Sequence, residues 1–424
     1  MFAFGAAAPA FAADCRIGLY ELTRGGAIDI TPASDSKLRW RRPDGTSGEL
    51  TEGQNGIWSS TAGWTGRDDG RRVSFSDCAA GRLRFDGVDG LRVPLDTREQ
   101  RFESGGAVLA GRLILPAGDA RVPIVVLVHG SEQISALDFY ALQRMFPSAG
   151  IGVFVYDKRG SGASGGTFTH DYNVLAADAA EAVRTARKLA GPRAGRVGFQ
   201  GSSQGGWVAP LAATLTPVDF VVVSYGLAVS PLDEDNEAVA LDMTRHGFGA
   251  AETAKALEVA RATQAIALSG FQSGYDELDA VRARYAQEPW FRFVRGNLTQ
   301  IVLSQPREVL REQAMSWFAG IIPHYDPMPV LRRLETPQLW VLGAEDIDAP
   351  VAETVRRLRS LKKEGRPIST VVYPHAEHGM YEFEVDAKGE RLSLRQPATY
   401  FPLMCDFVLR GKIRGTYGDS TIYR

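Results

Sequence analysis

Val122-Pro123-Ile124-Val125-Val126-Leu127-Val128 is an almost unbroken apolar run of strand length. A strand with one wet face alternates apolar and polar residues, so a run without alternation must be covered on both faces. Residues 151–156 form a second such run, and shorter ones follow at 196–200, 220–224, 338–342 and 369–373. Between the first two lies a helix-like stretch at 135–149. Residues 173–189 then read as an Ala-rich amphipathic helix with its charges on one face. Strands alternating with helices predict an α/β fold built on a mostly parallel, doubly covered sheet.

The alternation is interrupted. Residues 226–326 read as helices, clearest at 250–269, 275–286 and 307–318. Such a length is too great for an ordinary connection, so it predicts a helical cap that overhangs the site and sets substrate choice. Residues 14–100 have no helical period. Their short apolar runs are cut by Pro43-Asp44-Gly45, Asp69-Gly70 and Asp89-Gly90, which predicts an N-terminal β-rich domain. The expected division is therefore 1–13, 14–100, a first core part at 101–225, the cap at 226–326, and a second core part with a tail at 327–424.

Residues 1–13 are apolar, rich in small residues and end in an Ala-x-Ala pattern, like the tail of a secretory signal peptide, although no Lys or Arg precedes it. A periplasmic or secreted protein is expected. Cys15 and Cys78 bracket a turn-rich segment of the kind disulfides staple in oxidising compartments, the alternative being two unrelated buried thiols. Cys405 falls in an apolar helix pattern and reads as core. Three cysteines at irregular spacing offer no zinc site. The 48 Lys and Arg against 50 Asp and Glu give a net charge of −2, with no basic surplus for nucleic-acid phosphates. No apolar stretch reaches the length of a membrane span.

The chemistry centres on Gly201-Ser202-Ser203-Gln204-Gly205, set between strand 196–200 and a helix-compatible segment. A nucleophilic Ser needs its hydroxyl exposed on a sharp turn, and small residues two before and two after let the backbone close. That places Ser203 at the tip. A neutral hydroxyl is a poor nucleophile, so a His must take its proton and a carboxylate must orient that His. Of six His, His378 in His375-Ala376-Glu377-His378-Gly379 follows the last strand, where a loop can reach back over the sheet. His375 is its local competitor. The acid is expected after the preceding strand, where Glu345, Asp346 and Asp348 cluster. Asp346 is chosen because Asp348 lies near Pro350, the expected first residue of a helix, and would cap it. Oxyanion donors are expected from the backbone amides of Gln204 and of Ser131 or Glu132, in the loop His129-Gly130-Ser131-Glu132, with His129 bracing that loop.

Together these motifs resemble the α/β-hydrolase superfamily, in particular secreted bacterial hydrolases related to the dienelactone-hydrolase and prolyl-oligopeptidase-like branches. The resemblance rests on His129-Gly130, the run 157–165, the elbow around Ser203, the 343–350 segment and His378-Gly379. It implies an α/β-hydrolase core and an acyl-enzyme mechanism using Ser203, Asp346 and His378, with neither cofactor nor metal. The expected substrate is a small-molecule ester, with prolyl-peptidase-like peptide hydrolysis as the runner-up. A non-catalytic binding protein is a third class. The segment 160–165 also fits G-x-G-x-x-G, but no helix opens directly after it, so a dinucleotide site is not expected. The aromatics at 290–293 and 317–318 read as the cap's own core.

Overall fold

The computed structural model describes residues 14–423, so the signal-like segment 1–13 lies outside the described residues. Eight strands between Gly18 and Arg92 form a closed barrel. Closure comes from the first strand, Gly18–Leu22, which pairs antiparallel with both Ala27–Pro32 and Val88–Arg92. Alternate residues point inward, and Tyr20, Trp40, Trp58 and Phe85 fill the interior almost without exposure. The Trp40 indole N–H donates to Ser60 Oγ at 2.8 Å, so the ring is buried without an orphaned donor.

Cys15 and Cys78, 63 positions apart in the chain, form a disulfide. It ties the segment before the first strand to the turn after Asp68–Asp77. Closing a loop this long removes denatured-state entropy worth about 4 kcal/mol. Replacing both cysteines with Ser should therefore lower barrel stability by up to that amount, as read by denaturant titration. An equal midpoint for the variant and the oxidised protein would show that the bond does not constrain the chain.

The second body is a nine-stranded sheet in the order Thr421–Tyr423, Ile368–Tyr373, Gln338–Gly343, Val221–Ser224, Ala194–Ser202, Val122–Val128, Gly152–Tyr156, Ala107–Pro116 and Leu95–Ser104. Its six central strands run parallel and its outer strands antiparallel. Helices cover both faces: Tyr172–Ala190 and Gly205–Ala212 on one, Leu142–Ser148 and Tyr400–Arg410 on the other. The sheet takes up its first strand at Leu95. The stretch predicted as one helix at 135–149 is two short ones, Ala136–Phe139 and Leu142–Ser148.

Five longer helical segments, Pro231–Arg245, Ala250–Leu268, Tyr275–Tyr285, Leu298–Ser304 and Arg307–Trp317, stand between strands Val221–Ser224 and Gln338–Gly343. Trp290 is 1% exposed, and Phe291, Phe293, Trp317 and Phe318 pack against the same cluster, so these aromatics form the cap's own core. A buried ion pair joins barrel to sheet domain: Arg144 donates to Asp29 at 2.5 Å. Among the described residues, no helix is long and apolar enough to cross a membrane.

Candidate active site

Strand Ala194–Ser202 and helix Gly205–Ala212 are separated by only two residues, and Ser203 sits between them with φ +51°. That left-handed backbone is strained for a residue with a side chain, and it throws the hydroxyl out of the sheet edge. Two glycines make the turn possible. A Cβ on Gly201 would strike the Gly205 carbonyl, and one on Gly205 would stand 2.6 Å from Val128 O. Ser202 is turned inward, 7% exposed, and its Oγ accepts from Gln200 Nε2 at 2.9 Å.

The structure brings Ser203, His378 and Asp346 together from the ends of three strands. Ser203 Oγ lies 3.1 Å from His378 Nε2, and His378 Nδ1 lies 2.8 Å from Asp346 Oδ2. Asp346 is 2% exposed, and its other oxygen accepts the Asp348 and Ala349 amides at 3.1 and 2.8 Å. Those two bonds fix the carboxylate plane so that the remaining oxygen faces the imidazole. Burial alone would lower the His378 pKa, but the hydrogen bond and charge of Asp346, with Asp348 and Glu234 adding, turn the net shift upward from 6.5.

Asp348 does not cap a helix. The helix begins at Ala352 behind Val351 rather than at Pro350, because Asp348 and Ala349 turn back to bond Asp346. The Asp348 carbonyl instead accepts Asn297 Nδ2 from the cap at 2.7 Å. His375 is exposed, 3.7 Å from Asp419, and away from Ser203's hydrogen bonds. His129 is buried, with Nε2 2.5 Å from Tyr156 O. Burial and the nearby Lys158 keep its pKa below the ordinary value, so the ring is a neutral brace for its loop.

That loop continues through Gly130, where an added Cβ would meet Ser203 Cβ at 3.4 Å, so Ser131 and Glu132 border the nucleophile. The Lys158 ammonium, pushed down to about 8 by burial, pins the loop by donating to Gly130 O at 2.8 Å. The Glu132 carboxylate accepts from the Tyr140 hydroxyl. Gln204 stands at the N-cap of its helix, where backbone N–H groups lack intrahelical acceptors. Its side-chain amide bonds His170 Nδ1 at 2.8 Å, a ring pushed down to about 4 chiefly by burial. Sequence reasoning missed this contact and the Asn297 bridge, because partners 34 and 51 positions apart leave no local pattern.

The site opens into a cleft of about 1260 Å³ whose walls come from all parts of the chain. Arg39, Arg41 and Trp64 belong to the barrel, and Arg245 and Arg295 to the cap. Arg39 stacks on Trp64 at 3.8 Å and is pushed down to about 10 by burial and by Arg41.

Residues 105–379, well over half of the chain, match the X-Pro dipeptidyl-peptidase (S15) family. The chain belongs to the S15 family. This places it among α/β-hydrolases related to the prolyl-oligopeptidase-like branches, and it is a hydrolase. No curated protein sequence matches it. An esterase of Pyrococcus furiosus is similar in structure at 16% identity and TM-score 0.42, covering 67% of this chain and 83% of that one. The acylaminoacyl peptidase of Pyrococcus horikoshii is similar at 14% identity and TM-score 0.46. That alignment covers 92% of this S15 chain and 57% of the peptidase. A thermophilic esterase from Thermogutta terrifontis gives 17% identity and TM-score 0.37, with 66% and 91% covered.

Proposed function

We propose that this S15-family chain is a serine hydrolase that cleaves carboxylic esters through an acyl-enzyme on Ser203. The observation that carries the reading is the hydrogen-bonded series Ser203–His378–Asp346, closed at one end by a fixed carboxylate and at the other by a half-buried hydroxyl on a left-handed backbone. Ser203 Oγ attacks the substrate carbonyl carbon while its proton passes to His378 Nε2. Asp346 holds the Nδ1–H and stabilises the imidazolium. The developing oxyanion is met by the Gln204 amide and by that of Ser131 or Glu132, with the positive end of helix Gly205–Ala212 behind them. The tetrahedral adduct expels the alcohol, which takes the proton from His378. Water then attacks the acyl carbon with His378 again as base, freeing the acid and Ser203.

Peptide hydrolysis is the second reading, favoured by the family match, since the family is described as a peptidase family. The same residues would serve, with His378 protonating a leaving amine. Labelling by a fluorophosphonate, lost in Ser203→Ala, tests the shared mechanism. Hydrolysis rates for matched ester and amide substrates of the same acyl group, including X-Pro amides, separate the two readings. Amide turnover that equals or exceeds ester turnover favours the peptidase.

A base must be neutral to act, so the upward shift at His378 predicts an acid limb of kcat/KM above pH 6.5. In Asp346→Asn, burial remains but the charge partner is gone, and the residual limb should move below 6.5. A wild-type limb at or below 6.5 would contradict the assignment.

The Cys15–Cys78 bond is compatible with export, and we read residues 1–13 as signal-like in composition. The division into barrel (14–100), two core parts (101–225 and 327–424) and cap (226–326) is likewise our proposal, with the cap as the selector of substrate.

A further inference from the structure

His378 is followed by a strand pair, Glu382–Val385 and Arg391–Arg395, that belongs to neither large sheet. One side of this hairpin is fastened to the barrel. The Trp64 amide donates to Ser393 O at 2.8 Å, and the Gln396 amide to Gly45 O at 3.0 Å. Gly45 and Gly63 have φ +81° and +50°, and a Cβ on either would collide with the backbone of Gln396 or Leu394. Arg67 pairs with Glu384 at 2.5 Å, and the rings of Trp64 and Tyr381 meet at 4.4 Å. The hairpin is thus fitted backbone to backbone against the barrel.

From the same hairpin Arg391 reaches both loops of the site. It donates to the Glu345 carbonyl at 2.7 Å and to Glu345 Oε2 at 3.0 Å. It also stands 3.7 Å from Glu377 Oε2, while Glu377 Oε1 accepts from Ser393 Oγ at 2.8 Å. The guanidinium lies over the Phe383 ring at 3.9 Å, and the side chain is only 14% exposed. Glu345 directly precedes Asp346, and Glu377 directly precedes His378. One planar cation therefore grips the residue before each of the two.

We propose that Arg391 is a positioning residue that fixes the spacing of Asp346 and His378, and that the barrel acts on the site by holding Arg391 in place. The proposal rests on the reading of Ser203, His378 and Asp346 given above. A guanidinium fork suits this task because it binds a carbonyl and a carboxylate at fixed angles, which a lysine cannot do. Spacing matters because a misplacement of about 1 Å between reacting groups costs on the order of 10²-fold in rate. The titratable groups that face His378 itself are Asp346 and Asp348 from the acid loop and Glu234 from the cap, the last pushed up to about 8 chiefly by burial.

Arg391→Met keeps an unbranched apolar stem but removes the guanidinium fork, together with its stacking on Phe383. The expected result is a kcat lowered on the order of 10²-fold with KM little changed. The acid limb of kcat/KM should shift to lower pH as the hold of Asp346 on His378 slackens. Arg391→Lys should restore part of kcat. Glu377→Gln, which keeps the Ser393 bond, should show a smaller change in the same direction and guards against misfolding of the Met variant. A merely structural role would lower Tm while leaving kcat and the pH limb of the folded variants as in wild type, and that outcome overturns the proposal. A raised KM at constant kcat would make Arg391 a substrate contact and overturn it too. Ser203→Ala measured alongside separates the two levels. Retained activity there defeats the underlying reading, whereas an inactive Ser203→Ala beside a wild-type-like Arg391→Met defeats this proposal alone.

Discussion

Ser203→Ala is expected to be inert, with kcat lowered on the order of 10⁶-fold and the melting temperature unchanged or raised. Among the described residues, Ser203 is the hydroxyl hydrogen-bonded to His378 Nε2. Ser202, its immediate neighbour, is buried, and its Oγ is engaged by Gln200 rather than by the His378 imidazole. The effect on stability follows from the backbone. Ser203 holds φ +51° whatever its side chain, and losing the hydroxyl breaks one hydrogen bond at the cleft surface. If Ser203→Ala kept more than a few per cent of activity and Ser202→Ala did not, the nucleophile would be the wrong one of the pair.

Asp346→Asn should cost on the order of 10⁴-fold in kcat, because an amide can hold the imidazole in the unproductive tautomer and cannot stabilise the imidazolium. Asp348→Asn should leave kcat within a few-fold, since the hydrogen bonds of Asp348 at the site run through its backbone and its charge adds to the His378 shift only after that of Asp346. Its amide donates to Asp346 and its carbonyl accepts from Asn297, and both survive the substitution. Kinetics of the two variants at the same pH decide the matter. A large loss confined to Asp348→Asn would reverse the assignment.

The parts of the fold legible in the sequence are those whose pattern is local. The run Val122–Val128 announces a doubly covered strand, and the structure gives that strand the same limits. The elbow is legible because closure between strand and helix demands glycine on both sides of one residue. What stayed hidden depends on partners far apart in the chain. Strand Leu95–Ser104 carries charges at Asp96, Arg98, Glu99, Arg101 and Glu103 and lacks an apolar run, since only its pairing with Ala107–Pro116 makes it a strand. Barrel closure is equally non-local, joining Tyr20 to Arg92. The Asp348 expectation failed because Pro350 is a permissive start for a helix, while the carboxylate of Asp346 competed successfully for the amides at 348 and 349.

The outermost strands of the nine-stranded sheet bear on how this hydrolase behaves at high concentration. An uncovered strand border is a template on which a second chain can add itself. Here the closed barrel offers no such border at all. On one flank of the large sheet, Leu95–Ser104 presents exposed side chains of alternating sign, which a second copy could approach only by stripping water from charges. On the other, Thr421–Tyr423 is three residues long, too short to seed a ladder. Among the described residues, neither the barrel nor the two flanks of the large sheet therefore offers a border suited to strand-to-strand polymerisation.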